Sequence, residues 1–167
     1  MFKILLVVFL ISMVPIIELR GAIPVGIVWL FGSDVSVTSA IASNPLQVVL
    51  IFAAAIIGNM LPVPFIYLFA RKVLEWGAKT KLLKRPFTWI LNKGEKAGNK
   101  INGKKGAFIG LMLFIGIPLP GTGAWTGTLA ASILHMKFKD SIFAAIGGVL
   151  IAGIIMLTLS LIGVNIF

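Results

Sequence analysis

The apolar positions of this chain come in blocks rather than in alternation or a one-sided helical stripe, and the blocks have two lengths. Residues 45–70, "PLQVVLIFAAAIIGNMLPVPFIYLFA", and 141–163, "SIFAAIGGVLIAGIIMLTLSLIG", run for 26 and 23 residues without a charge. Each exceeds the ~20 residues that a bilayer-spanning helix needs. Pro62 and Pro64 interrupt the first, predicting a kink or break there, with Asn59 offering a polar group to the carbonyls that proline leaves without donors.

The remaining blocks are half as long. Residues 4–17 predict a helix of about 21 Å and residues 22–32 one of about 17 Å, both short of a hydrocarbon core ~30 Å thick. The same holds for "GAFIGLMLFIGI" (106–117) and "AWTGTLAASILHM" (124–136), which are separated by "PLPGTG". Two short apolar legs joined by a Pro/Gly-rich tip predict a re-entrant hairpin, because irregular backbone at membrane depth must be buried in protein or line a wet cavity. The tip residues are Pro15, Gly21 and Pro24 in the first hairpin, and Pro118, Pro120, Gly121 and Gly123 in the second.

Charge placement orients these blocks. Of fifteen Lys and Arg residues, eleven lie between Arg71 and Lys105, and Lys137 and Lys139 add two. Such clustering beside apolar segments follows the positive-inside rule, so segment 71–105 is expected to be cytoplasmic in a multi-pass protein of the cell (inner) membrane. The loop 32–44 then lies outside, and it has no basic residue. Lys137 and Lys139 return to the cytoplasm only if residues 106–136 turn back instead of crossing. Lys3 by itself favours a cytoplasmic N-terminus and a single kinked first span, whereas segment length and Pro/Gly placement favour a first hairpin, the reading adopted.

The expected fold class is therefore an all-α integral membrane protein with one membrane domain, 1–167. A first repeat, 1–70, holds hairpin 4–32 and span 45–70. A basic connector, 71–105, carries an amphipathic interfacial helix starting at Pro86 and facing anionic lipid. A second repeat, 106–167, holds hairpin 106–136 and span 141–163. The repeats are opposite in membrane orientation, and "IELRGA" (17–22) echoes "IPLPGT" (117–122) at Ile, Leu and Gly. Inverted repeats of this kind build binding sites near the midplane of secondary transporters.

Composition agrees with this class and closes others. The chain of 167 residues is 59% hydrophobic and 12% charged, with net charge +10 and no cysteine. Its mean hydropathy is +1.07. The basic residues sit beside membrane segments rather than along a nucleic-acid groove, so no nucleic-acid partner is expected. The apolar start after Lys3 lacks a small-x-small cleavage site, so a cleaved signal peptide is not expected. His135, the single histidine, reads as interfacial, and Asp34 and Asp140 as loop or cap residues. No nucleotide-binding, zinc-protease or Ser/His/Asp pattern appears, so no cofactor, no metal site and no catalytic residue are expected, and the protein is not expected to be an enzyme.

The expensive placements are Glu18 and Arg20, at about +2.5 to +3.5 kcal/mol each within a membrane segment. On a continuous helix, residues two apart point to different sides. At a broken tip, with Gly21 free to adopt unusual dihedrals, both can face one cavity. Arg20 is then suited to hold an anionic group, and Glu18 to exchange a proton. The alternative is a structural ion pair between the hairpin and its neighbours. In "PLPGTGAWTG" (118–127), a broken helix exposes amides at a positive dipole end, and Thr122 and Thr126 add hydroxyls. The alternative there is close packing at Gly123 and Gly127, with Trp125 as an interfacial anchor.

"ELRGAIPVGI", a long charged middle and "IPLPGTGAWTGTLAA" together resemble the small multi-drug export protein family over essentially the whole chain. That family is distantly similar to the DedA superfamily of membrane transporters. The resemblance implies proton- or ion-coupled transport, and on the DedA side translocation of polyprenyl-phosphate carriers or phospholipids. The second hairpin departs from the DedA pattern, having no arginine. The expected function is translocation of an anionic amphiphile, with Glu18, Arg20, Thr122 and Thr126 binding substrate or ion. The alternatives are efflux of small cationic drugs and a non-transporting membrane scaffold. Expected partners are the lipid bilayer with its anionic lipids and a small-molecule or lipid substrate. So short a chain encloses little cavity, which also favours a homodimer.

Overall fold

The computed structural model describes residues 1–32, 44–79, 104–119 and 121–163. They form seven helices: α1 (Phe2–Met13), α2 (Glu18–Phe31), α3 (Pro45–Met60), α4 (Pro62–Lys79), α5 (Lys104–Gly116), α6 (Ala124–Ile133) and α7 (Phe138–Gly163). No strand occurs among the described residues. Two apolar runs are long enough to cross a membrane, Pro45–Ala70 and Phe138–Ile162. The first crosses from α3 to α4 through Leu61, whose backbone stays in the right-handed helical region, so the prolines bend the run without ending it.

The structure moves several expected boundaries. α4 continues to Lys79, so the first nine residues of the basic connector prolong the span helix. α5 starts at Lys104 and α7 at Phe138, each two or three residues earlier than the apolar pattern indicated. The interfacial helix expected from Pro86 lies outside the described residues, as does Pro120. The first turn is also tighter than its Pro/Gly content suggested. Only residues 14–17 are non-helical, and Gly21 and Pro24 sit inside α2. Gly21 keeps a helical hydrogen bond to the Ile17 carbonyl, and a Cβ there would lie 2.4 Å from Ile17 Cγ2. It supplies room, not a left-handed turn. The left-handed positions are instead Ile16 (φ 77°) and Glu18 (φ 51°). Positive φ in a β-branched residue is a strained conformation, costing of order 1–3 kcal/mol.

The short helices pack against the long ones in the same way twice. α1 and α2 both rest on α3, and α5 and α6 both rest on α7. The halves then exchange neighbours, with α2 against α7 and α6 against α4. The core between them is aliphatic and small, including Val8, Ile23, Ile51, Ile115, Ala145 and Val149. Glycines set the closest approaches. A Cβ at Gly58 would lie 2.2 Å from Ser12 Oγ and 2.4 Å from the Phe9 carbonyl oxygen, so α3 runs backbone to backbone with α1. Gly148 does the same for α7 and α5, where a Cβ would meet the Met112 carbonyl at 2.7 Å. Association in lipid rests on such close packing, because the apolar surroundings give no hydrophobic drive between helices.

Tyr67 closes the opposite end of α6. Its hydroxyl donates to the Met136 carbonyl, and its ring meets Phe138 edge-on at 5.2 Å. Ser132 Oγ donates to the Tyr67 carbonyl at 2.9 Å. The α6–α7 turn, with His135 in a left-handed conformation, is thereby fixed to α4.

Gly58→Ala and Gly148→Ala should each destabilise the protein by roughly 1–3 kcal/mol, since the added carbon meets backbone that cannot rotate away. Gly110→Ala, where a Cβ meets nothing within 4 Å, should be neutral. Thermal unfolding midpoints of the three variants in nanodiscs check the ranking.

Candidate functional site

The non-helical turn 14–17 and the second turn around Pro118, Leu119 and Gly121–Gly123 come together beside one cavity, and the first residues of α2 bond across to the second turn and to the start of α6. Glu18 begins α2 and is buried at 4% exposure. Its carboxylate accepts from the backbone N–H groups of Trp125 (Oε1, 3.1 Å) and Ala124 (Oε2, 3.3 Å), the first two residues of α6. An anion at that position neutralises orphan donors and the positive end of the helix dipole together. α6 has no capping side chain of its own, because Gly123 precedes it. Glu18 is the cap, delivered from more than 100 residues away. Gly123 permits this seating, since its φ is +140° and a Cβ would lie 2.4 Å from Glu18 Oε2.

Arg20 follows the opposite logic. Its Nη1 donates to the Leu119 carbonyl at 2.5 Å and its Nη2 to Thr122 Oγ1 at 2.8 Å. Thr122 organises the second turn. Its hydroxyl lies 2.8 Å from both the Ile117 and Leu119 carbonyls and accepts from the Leu119 N–H at 3.2 Å. Pro118 and Gly121 (φ 82°) hold the chain off a helical path, so those carbonyls stay available. The carboxylate therefore meets only donors and the guanidinium only acceptors. Glu18 and Arg20 each bond across to the other half instead of to one another, so the charged groups of the first hairpin do tie it to its neighbours, through hydrogen bonds to Leu119, Thr122, Ala124 and Trp125.

A cavity of about 970 Å³ opens beside this junction. Pro15, Ile16, Pro118 and Leu119 form its floor, Ile66, Ala70 and Val73 of α4 one wall, and Trp125, Thr126 and Leu129 of α6 another. Glu18, Arg20, Thr122 and Thr126 are its charged and hydroxyl-bearing lining residues. Thr126 is exposed there, holding only a long 3.4 Å contact to the Gly123 carbonyl. The four residues singled out from the sequence are thus brought to one cavity in unequal roles. Glu18 and Thr122 are consumed by structure, whereas Arg20 and Thr126 retain donors. The α6 amides expected to receive an external anion are taken by Glu18. Pro24 and Gly21 lie away from the cavity lining, within α2.

Several contributors carried no sequence signal. Leu119, Ala124 and Trp125 act through backbone groups, which any residue possesses. Asn59 is fully buried, yet neither its Oδ1 nor its Nδ2 has a partner, so it does not relieve the proline-freed carbonyls as expected. Among the described residues no cluster of three or more His, Cys, Asp or Glu side chains could hold a metal.

Gly123→Ala should expel the Glu18 carboxylate, and Glu18→Ala should leave two buried amides without acceptors. Each is expected to cost about 2–5 kcal/mol, well above Thr126→Val, which should cost under ~1 kcal/mol. Denaturant unfolding in mild detergent measures all three.

Comparison with known proteins places this sequence in a family. No curated protein and no solved structure matches the chain. The family model described as "Putative small multi-drug export protein" matches residues 18–155, starting at Glu18 just after the first turn and taking in the second turn, the basic connector and most of α7. With a match over most of its length and two helical runs long enough to span a bilayer, the chain is a membrane protein that belongs to the small multi-drug export protein family.

Proposed function

We propose that the protein exports an amphiphile with an anionic group, holding the apolar body in the 970 Å³ cavity and the charge at Arg20. The carrying observation is the unequal fate of the two charges. Glu18 lines the same cavity, but both its carboxylate oxygens accept backbone amide bonds, whereas the Arg20 guanidinium keeps unused donors there. The cavity lies near the upper end of the ~300–1,000 Å³ range of small-molecule sites, and its walls are aliphatic and aromatic. The family description supports export. A lipid-linked phosphate or phospholipid is an amphiphile of this kind, and DedA-like translocation of such molecules is the specific form proposed. Transport rather than catalysis is the activity, with no cofactor.

In this reading the two short-helix pairs are re-entrant hairpins entering from opposite faces, and the halves are inverted repeats. The repeated packing scheme and the helix lengths support it: α1, α2, α5 and α6 have 12, 14, 13 and 10 residues, about 15–21 Å each. Their turns would then lie near the midplane, where alternating access needs the site. Protonation of Glu18 would release α6 from α2 and couple a proton to opening. The basic connector would lie on the cytoplasmic face against anionic lipid, and a second copy would complete the enclosure.

A second reading, export of cationic drugs, draws on the family description and makes Glu18 the substrate carboxylate. It requires Glu18 to leave the α6 amides whenever substrate binds. Proteoliposome assays separate the readings. For anionic substrates, Arg20→Ala should slow transport roughly 10- to 100-fold, the equivalent of one charged hydrogen bond. For cationic drugs, Glu18→Gln should abolish transport while Arg20→Ala leaves it intact, and that ranking would overturn the proposal. A scaffold role predicts instead that neutralising Lys93, Lys96 and Lys100 matters more than either change.

Topology has its own test in a chain without native cysteine. Single cysteines at positions 3 and 37 should react with impermeant maleimide from outside, and those at 95 and 138 only from the cytoplasm. Positions 20 and 122 should react slowly from both sides.

A further inference from the structure

α6 is a wall shared by two hollows. Leu129 lines the cavity beside Arg20, whereas its neighbour Ala130 lines a second hollow of about 310 Å³ between α5 and α6. Gly106, Gly110 and Phe114 contribute to this groove from α5, and Leu134 and Met136 from the end of α6 and the turn after it. Every residue of its lining is apolar or glycine, and its volume reaches the lower bound of small-molecule sites, ~300 Å³. The glycines keep it open, since a Cβ at position 106 or 110 would meet nothing within 4 Å.

Cations border the groove. Lys105 precedes Gly106, His135 and Lys137 flank Met136, and Lys139 follows two residues later; all four are exposed. The three lysine side chains find no hydrogen-bonding or ion-pair partner among the described residues. Asp140 is the one acidic residue from position 104 onward, and it sits in the first turn of α7, where the positive end of the helix dipole already favours it. The turn that carries these cations is fixed. The Tyr67 hydroxyl donates to the Met136 carbonyl, and the Met136 N–H donates to the Ala131 carbonyl at 3.1 Å.

One class of molecule matches both features. A neutral lipid fills the groove but leaves the lysines without counter-charge, and a soluble anion meets the lysines but leaves the groove empty. Basic pockets beside membrane helices capture anionic lipid headgroups. We infer that this groove is a binding site for an anionic phospholipid of the surrounding bilayer, with part of an acyl chain between α5 and α6 and the headgroup phosphate against Lys105, Lys137 and Lys139. The lipid is a resident ligand, not cargo. It lies across α6 from the cavity beside Arg20, and the inference does not depend on what that cavity carries. Its occupancy braces α6, which Ser132 and the Met136 turn tie to Tyr67 of the α4 wall.

The test is lipid retention by the full chain in dodecyl maltoside, measured by native mass spectrometry with dioleoyl phosphatidylglycerol and dioleoyl phosphatidylcholine as probes. Wild type is compared with the triple variant K105Q/K137Q/K139Q and with Gly110→Leu. Arg20 is unchanged in all three, so lipid held beside it contributes equally and the differences report the groove. Wild type should retain phosphatidylglycerol roughly 10-fold more tightly than phosphatidylcholine, and the triple variant should lose that preference. Gly110→Leu, whose side chain fills the groove, should weaken both lipids. Wild type without a preference, or a triple variant that keeps it, overturns the inference. So does a folded Gly110→Leu protein that binds both lipids like wild type. The triple change alters exposed side chains only, so it decides the matter should Gly110→Leu fail to fold.

Discussion

A carboxylate facing two amide donors, and a guanidinium facing a carbonyl and a hydroxyl, hold the two halves of this protein together. Neither charge is stable alone among apolar helices, and neither turn can leave its backbone groups bare there. Each deficit is the other's remedy. Glu18 supplies the acceptor that α6 lacks at its first turn, and the 117–122 segment supplies the acceptors that Arg20 lacks within α2. The strained backbone at Ile16 and Glu18 is the conformational cost of aiming both side chains from one turn into the other half.

The packing follows from this junction. Glycines at positions 58 and 148 draw α1 onto α3 and α5 onto α7, giving each half a solid two-helix body. The second short helix of each half then crosses to the other half, with α2 on α7 and α6 on α4. Because α4 bends at Leu61 and continues to Lys79, it forms a wall beside the junction instead of sealing it. The cavity is the space left between that wall and the two turns. Its lining is mostly apolar, with Glu18, Arg20, Thr122 and Thr126 as the charged and hydroxyl-bearing residues.

This arrangement also separates two roles that the sequence places side by side. Glu18 and Arg20 are two residues apart, yet one is structural and shielded while the other keeps free donors toward the cavity. A junction made of hydrogen bonds between halves, rather than of a continuous core, is a natural point for the halves to part. The proposed export cycle would use it so.

The sequence by itself determined the element types, because apolar run length against bilayer thickness leaves no other way to satisfy the backbone. It also exposed Glu18, Arg20, Thr122 and the glycines of the second turn, since charge and Gly/Pro content are costly or unusual in such surroundings. It misplaced the first turn, because Gly21 and Pro24 read as breakers, whereas Pro24 is carried within α2 and Gly21 only makes room for Ile17. It misjudged Asn59, whose buried amide has no partner. Only the tertiary structure decided which donor meets which acceptor. Backbone amides at residues 124 and 125 and a carbonyl at 119 leave no mark in residue identity, and their use depends on bringing together segments a hundred residues apart.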